Sequence, residues 1–171
     1  MFFHTHPKRK EIEMRVRGYA SLFERRDLSG DYIQTSAFDN CLKRQAPHHI
    51  KMLLHHDVTK PIGRWHIVQP DAHGLWVEGD IATQSSLGKD LAILIEAGAL
   101  DGLSIGFRVI RSVLDRTGNR HIQEIDLLEI SFVTFPMQPK ARLEQSRLDL
   151  SDMMFLTQRI RRNTVSPISH S

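Results

Sequence analysis

The sequence has few of the residues that would mark a secreted or membrane protein. Cys41 is the single cysteine among 171 residues, which excludes an intrachain disulfide and fits a reducing compartment. No apolar run approaches the length that a membrane-spanning helix needs, so no membrane partner is predicted. The first residues, MFFHTHPKRK, lack the order of a basic segment followed by an apolar one that marks a signal peptide. These absences predict a soluble intracellular protein.

A strong excess of one charge is also missing. The chain has 23 Lys and Arg against 20 Asp and Glu, a formal net charge of +3 and a pI of about 9.2. The surplus lies near the ends, in HPKRK and RIRRN, whereas a nucleic-acid-binding domain usually shows a basic stripe within the fold and a reader motif. No specific nucleic-acid partner is therefore predicted. The alternative of a nucleic-acid-binding module rests on the pI alone, and salt-dependent retention on DNA would test it.

The length and composition are those of one folded domain with tails. A chain of this length with 40% hydrophobic residues can bury one core. We predict a flexible N-terminal tail over residues 1–10, a folded domain over 11–141, and a helical or disordered C-terminal extension over 142–171.

Period-2 alternation and short apolar runs predict more strands than helices. The segments indicated as strands are 11–17, 50–56, the two arms of a hairpin around 70–73, and the runs 103–114 and 121–135 joined by the turn DRTGN. The segment RRDLSGDYI has the turn formers of a loop. About seven strands against two or three helices favour a mainly antiparallel sheet or barrel with helices around it.

Two helices are indicated by capping and periodicity. Ser36 is a candidate N-cap for a short helix. The stronger prediction covers residues 85–99, where Leu87, Leu91, Leu94 and Ile95 share one face and a glycine follows as a stop signal.

Ser104 lies in the segment GLSIG, which matches the G-x-S-x-G pattern of α/β-hydrolases. In those enzymes a strand enters the serine turn and a helix leaves it, whereas here a helix enters and a strand leaves. The hydrolase elbow is therefore excluded, although a serine can still be a nucleophile if a base lies beside it. Alternation places Ile105, Phe107 and Val109 on the core side of the strand and Ser104 on the other. The alternative is a serine that merely ends a turn.

A nucleophilic serine needs an imidazole, and the chain has 10 histidines. His55 and His56 end a predicted strand and would face opposite sides of it, so that one could face a site. The alternative is an ordinary surface or core histidine.

The density of polar side chains around that pair also raises the possibility of metal binding. The candidate ligands would be His48, His49, His55, His56 and Asp57. Neither H-E-x-x-H nor paired cysteines accompany them. No metal and no other cofactor is predicted.

Five segments occur in an order that resembles a known family. They are GYASLFERRDLSGDYIQTSAF, KMLLHHDVTKPIGRW, GLWVEGDI, GALDGLSIGF and IDLLEISFVTFPMQPKA. Together they closely resemble the prohead serine proteases of tailed bacteriophages and related prophages, from about Arg17 to Ala141. That family is similar to the herpesvirus assemblin proteases. The resemblance implies a mainly β fold with flanking helices, built on a partly open antiparallel β-barrel.

The same resemblance implies roles for individual residues. The serine of SIGF, Ser104, would be the nucleophile, and the histidine directly before Asp, His56, would be the base. The third member is expected on the strand after the nucleophile hairpin, where Glu129 is the best-placed polar residue. A carboxylate on an otherwise apolar strand needs a partner, and an imidazolium would be one. The alternatives are that Glu129 simply faces solvent and that His121 takes the third role.

The function that the resemblance implies is a cofactor-free serine endopeptidase. It would remove the scaffolding segment of the major capsid protein and cut itself, inside the assembling procapsid in the bacterial cytoplasm. A homodimer is expected by analogy with the herpesvirus enzymes. For the oxyanion hole, backbone amides or Arg142 are the candidate donors. The alternative function is a non-catalytic capsid-assembly scaffold protein that keeps the fold.

Overall fold

Seven strands form one sheet in residues 14–144, the part of the chain that the computed structural model describes. The strands are β1 Met14–Leu22, β2 Asp31–Ile33, β3 Lys51–Leu54, β4 Asp57–Pro70, β5 Gly74–Ile81, β6 Gly102–Leu114 and β7 Arg120–Val133. Two α-helices accompany them, α1 Asp39–Arg44 and α2 Ser86–Glu96, together with short 3-10 turns at Thr35–Phe38 and Pro47–His49. The prediction of a mainly β fold with flanking helices is confirmed.

The sheet is mixed, with β7 at its branch point. Its order is β1-β5-β4-β3-β7-β2, and β6 pairs with the other side of β7. Four strand pairs are antiparallel, as predicted, whereas β3 and β2 run parallel to β7. Parallel pairing needs a long crossover connection, and the chain between β3 and β7 is long enough to provide one. Local strand and turn signals could not reveal this pairing.

The segment after β7 closes part of the gap between β1 and β6. The Tyr19 amide donates to the Arg142 carbonyl at 3.2 Å, and the Leu103 amide donates to the Ala141 carbonyl at 2.9 Å. The sheet therefore curls into a partly open barrel. Residues 142–144 belong to the folded unit, beyond the boundary predicted at 141. The predicted tail over 1–10 and the rest of the C-terminal extension lie outside the described residues.

The core fills the inside of this curled sheet. Trp65 on β4 stacks on Phe132 on β7, with ring centroids 6.1 Å apart and planes 3° from parallel. Both rings are fully buried, as is Phe38 from the 3-10 turn before α1. Burial of each such side chain stabilises the fold by roughly 1.5–3 kcal/mol. The residues of β7 that point away from the core, on the other face of the sheet, are thus held by a well-packed strand.

Helix α2 begins where it was predicted and ends at Glu96, three residues before the predicted end at 99. The Ser85 hydroxyl accepts from the Gly88 amide at 3.0 Å as an N-cap, and Gly98 follows the helix with φ +68°. Leu91 is buried, but Leu94 is 45% exposed. Leu87 and Ile95 pack against the core, so Leu94 lies at the edge of the predicted apolar face that the rest of the protein covers.

Two local predictions before α2 were also wrong. Ser36 is not an N-cap, because Gln34 occupies that position and no side chain caps the turn. The predicted loop RRDLSGDYI contains strand β2, which is stabilised by parallel pairing with β7. Within residues 14–144, no helix is both long and apolar enough to span a bilayer.

Candidate active site

The candidate nucleophile, Ser104, lies near the start of β6 and faces Ser131 on β7. The register also pairs Gly106 with Glu129. Directly opposed residues of an antiparallel pair project from the same face, with β-carbons about 4.5–5.5 Å apart. Ser104 is 4% exposed. The serine therefore shares one face of the sheet with the two polar residues of an otherwise apolar stretch of β7.

The pairing of β6 with β7 is irregular just beyond Ser104, although the predicted alternation along β6 continues. The pairing register shifts between Gly106 and Phe107, which marks a β-bulge. Ile105, Phe107 and Val109 are partly buried against the core, as the sequence suggested.

The candidate base, His56, lies in the tight turn between β3 and β4. His55 and His56 have φ of 53° and 58°, so both occupy the left-handed region required by a two-residue hairpin turn. The prediction that the two residues end a strand and face opposite sides was wrong, because β3 ends at Leu54. Two non-glycine residues in this region are strained, so the turn needs anchors.

Strand β7 provides anchors for this turn. The His55 amide donates to the Phe132 carbonyl at 2.9 Å, and the His56 amide donates to the Ser131 hydroxyl at 3.1 Å. On the other side, Asp57 accepts from the Thr59 amide at 2.9 Å and from its hydroxyl. These hydrogen bonds, with the one from Lys60, lower the pKa of Asp57 to about 2. The turn is thereby fixed above β7.

The His56 ring contacts Glu129. The distance between Nδ1 of the imidazole and Oε1 of the carboxylate is 2.5 Å. An ionised carboxylate only accepts hydrogen bonds, so Nδ1 carries the proton and Nε2 of the neutral ring is the nitrogen that can accept one. The hydrogen bond to Glu129 raises the pKa of His56, and partial burial opposes that rise.

Glu129 is buried and held on three sides. Its side chain is 12% exposed, so it does not simply face solvent. Its Oε2 accepts from the Ser131 hydroxyl at 2.6 Å, while Oε1 meets His56. A β-carbon at Gly106 would overlap the carboxylate. The roles of Ser131 and Gly106 were not predicted from the sequence, although the spacing of Glu129 and Ser131 along one strand indicates that both point to the same face.

The alternative third member, His121, is far from this cluster. It precedes Glu129 by eight residues on the same strand, which is about 26 Å at the rise of an extended chain. Its Nε2 lies 3.1 Å from Oδ2 of Asp115, and its ring stacks on Tyr32. His121 therefore belongs to the opposite end of β7.

The remaining candidates from the sequence lie apart from the His56–Glu129 pair. His48 and His49 lie in a 3-10 turn with their rings against each other. Across residues 14–144, no group of three or more His, Cys, Asp or Glu side chains is arranged to hold a metal ion. The Arg142 guanidinium contacts the Asp101 carboxylate and donates through Nε to the Pro139 carbonyl at 2.8 Å.

A cavity of about 330 Å³ borders Ser104. Its apolar lining includes Ile105, Phe107 and Val109 from β6, and one side carries the ion pair of Asp31 with Arg120. Hydrogen bonding to Arg120 lowers the pKa of Asp31. The cavity is large enough to take a side chain.

Comparison with known sequences identifies relatives over most of the chain. The family model described as Caudovirus prohead serine protease matches residues 4–154. The prohead protease of Enterobacteria phage HK97 is 35% identical over 129 residues, which cover 72% of this chain and 56% of that protein. The prohead protease of Escherichia phage T5 is 34% identical over 132 residues, with 74% and 60% covered. The chain thus spans somewhat more than half the length of these relatives.

Comparison with solved structures identifies the same fold at low sequence identity. The capsid assembly protease of bacteriophage T4 superposes with a TM-score of 0.61 at 12% identity, covering 71% of this chain and 81% of that one. The KSHV protease, solved with a hexapeptide phosphonate inhibitor, gives 0.56 at 14% identity and covers 91% and 83%. The expected likeness to herpesvirus proteases is confirmed at the level of the fold.

Proposed function

Because the chain belongs to the Caudovirus prohead serine protease family, we propose that it is a serine endopeptidase that acts in capsid maturation. The observation that carries this proposal is the contact of 2.5 Å between His56 and Glu129, on the face of the sheet that also bears Ser104. A serine, an imidazole and a buried carboxylate are the three groups that cofactor-free acyl transfer needs.

The proposed reaction begins when Ser104 Oγ attacks a peptide carbonyl and His56 Nε2 takes its proton. Glu129 holds the ring through Nδ1 and stabilises the imidazolium that forms. His56 then gives the proton to the leaving amine, and the C–N bond breaks to leave an acyl-serine. A water molecule, deprotonated by the same ring, attacks the ester and releases the acid.

The proposed substrates are the scaffolding segment of the major capsid protein and the protease itself. The support is the family and the name that both phage relatives carry, prohead protease. Cleavage would take place inside the assembling procapsid in the bacterial host. The cavity beside Ser104 would receive one substrate side chain. The homodimer expected from the family resemblance stays a prediction, which sedimentation equilibrium would check.

The test is co-expression of the chain with a candidate major capsid protein. Intact mass would follow cleavage of both proteins for the wild type, Ser104→Ala, His56→Ala and the control Ser85→Ala, which removes a helix cap away from the site. We expect cleavage by the wild type and the control only. Cleavage that survives Ser104→Ala would disprove the assignment. Absence of cleavage by the wild type, together with no labelling of Ser104 by an alkyl fluorophosphonate, would favour the non-catalytic scaffold.

A further inference from the structure

We propose that Ser131 is a positioning residue that fixes His56 and Glu129 relative to each other and to Ser104. The inference rests on the proposed function, because it assigns a role within the same site. Ser131 is not itself placed to react: it is fully buried on β7, and its hydroxyl is engaged with the two partners of the site.

A single hydroxyl makes the two hydrogen bonds that support this role. Ser131 Oγ donates its proton to Glu129 Oε2 at 2.6 Å and accepts from the His56 backbone amide at 3.1 Å. A hydroxyl has one proton to donate and lone pairs to accept with, so both bonds can form together. The same atom thus holds the carboxylate and the backbone of the base.

Each bond restrains a movement that the site would otherwise allow. Glu129 accepts from His56 through one oxygen and from Ser131 through the other, so the carboxylate cannot rotate about its terminal torsion without losing one of them. His56 lies in a left-handed turn, and its amide bond to Ser131 helps to hold that conformation. Because Ser104 pairs with Ser131 in register, the same contacts hold His56 beside the part of β7 that lies opposite Ser104.

Removal of the Ser131 hydroxyl should therefore slow the reaction of Ser104 with a probe by more than the accompanying loss of folding stability can explain. Loss of a hydrogen bond to a charged group predicts that Ser131→Ala reacts with an alkyl fluorophosphonate about 10- to 100-fold more slowly at Ser104. The matched control is Ser85→Ala, which also deletes a hydroxyl bonded to a backbone amide, at 3.0 Å, but at the start of α2. Both variants should lose thermal stability to a similar extent, whereas only Ser131→Ala should lose reactivity.

A second pair of variants isolates the hydroxyl from packing. Thr and Val have nearly the same shape, so Ser131→Thr and Ser131→Val add similar bulk at this buried position but only Thr keeps the donor. We expect the Thr variant to label at least 5-fold faster than the Val variant. This comparison remains informative if the alanine variant does not fold.

The readout that a purely structural role would not change is the titration of His56 by NMR. The charged side chain that acts on His56 is Glu129, while the neighbouring Asp57 is engaged with Thr59 and Lys60. Without the Ser131 hydroxyl, the Glu129 carboxylate can rotate and should form a weaker hydrogen bond with the His56 ring. The pKa of His56 should therefore fall toward its ordinary value of 6.5 in Ser131→Ala and Ser131→Val. Labelling rates and His56 titrations equal to those of Ser85→Ala would overturn the proposal.

The same experiment separates this inference from the proposed function. If the wild type does not react with the probe but the His56 titration still shifts in Ser131→Ala, the protease assignment fails and the positioning role stands. If the wild type reacts and the titration does not shift, the protease assignment stands and the positioning role fails.

Discussion

Gly106 lies directly opposite Glu129 across β6 and β7, at a point where a β-carbon would overlap the carboxylate. The glycine of the SIGF segment therefore has a local explanation that does not involve turn conformation. It leaves the space in which Glu129 reaches His56, two residues along the strand from Ser104. The contact between Glu129 and His56 therefore requires that residue 106 has no side chain.

Substitution of this glycine should disturb the contact between His56 and Glu129 from β6. Gly106→Ala forces the carboxylate away from Nδ1 of His56, so we expect labelling of Ser104 by a fluorophosphonate to fall about 10-fold or more. The pKa of His56 should fall toward its ordinary value. The control is Gly98→Ala, which meets no atom within 4 Å but is strained at positive φ; it should lose stability and keep its labelling rate. Equal labelling rates for the two variants would contradict the steric argument.

Substitutions of the three proposed catalytic residues should reduce activity by different amounts. Ser104→Ala removes the bond-forming atom and should abolish labelling, and His56→Ala should come close to that. Glu129→Gln keeps the shape but disturbs the tautomer of His56, and we expect a loss of about 10²- to 10⁴-fold in turnover. Glu124→Gln, the same change elsewhere on β7, is the control. A Glu129→Gln variant as active as Glu124→Gln would remove Glu129 from the mechanism.

The pH dependence should report the raised pKa of His56. The base must be neutral to accept a proton, so the rate should increase with pH through an apparent pKa above 6.5 in the wild type. In Glu129→Gln that midpoint should move down toward 6.5. Measurement of labelling rate against pH from 5 to 9 tests both statements, and identical midpoints would contradict them.

The same shift has a consequence for stability. A pKa raised on folding means that folded His56 binds its proton more tightly than unfolded His56. The resulting contribution to the free energy of unfolding is fully present below the unfolded pKa, near 6.5. It is lost as pH rises through the folded pKa. Urea unfolding should therefore show the advantage of the wild type over Glu129→Gln shrinking as pH increases across this window.

The sequence was sufficient where local pattern determines structure. Helix α2, the β4–β5 hairpin and the long strands β6 and β7 followed from periodicity and turn residues. The expected meeting of His56 with Glu129 is also found in the structure, although their catalytic roles stay predictions. The turn at His55 and His56 was mistaken for strand, because nothing in an isolated apolar run fixes where pairing stops. The contributions of Ser131 and Gly106 depend on the β6–β7 register, which the sequence does not specify.

The cavity beside Ser104 leads to a prediction about substrate size. Val109 lines the cavity from β6, and Val109→Trp would fill much of it. We expect cleavage of the capsid protein to slow about 10-fold or more, because a substrate side chain loses its place. Labelling by a small fluorophosphonate, which needs less of the cavity, should fall much less. Ile110→Trp adds the same bulk at the next residue of the strand, which is 54% exposed, and serves as the control. If both variants slow protein cleavage equally, the cavity does not bind the substrate; if only Val109→Trp does, the cavity is part of the binding site.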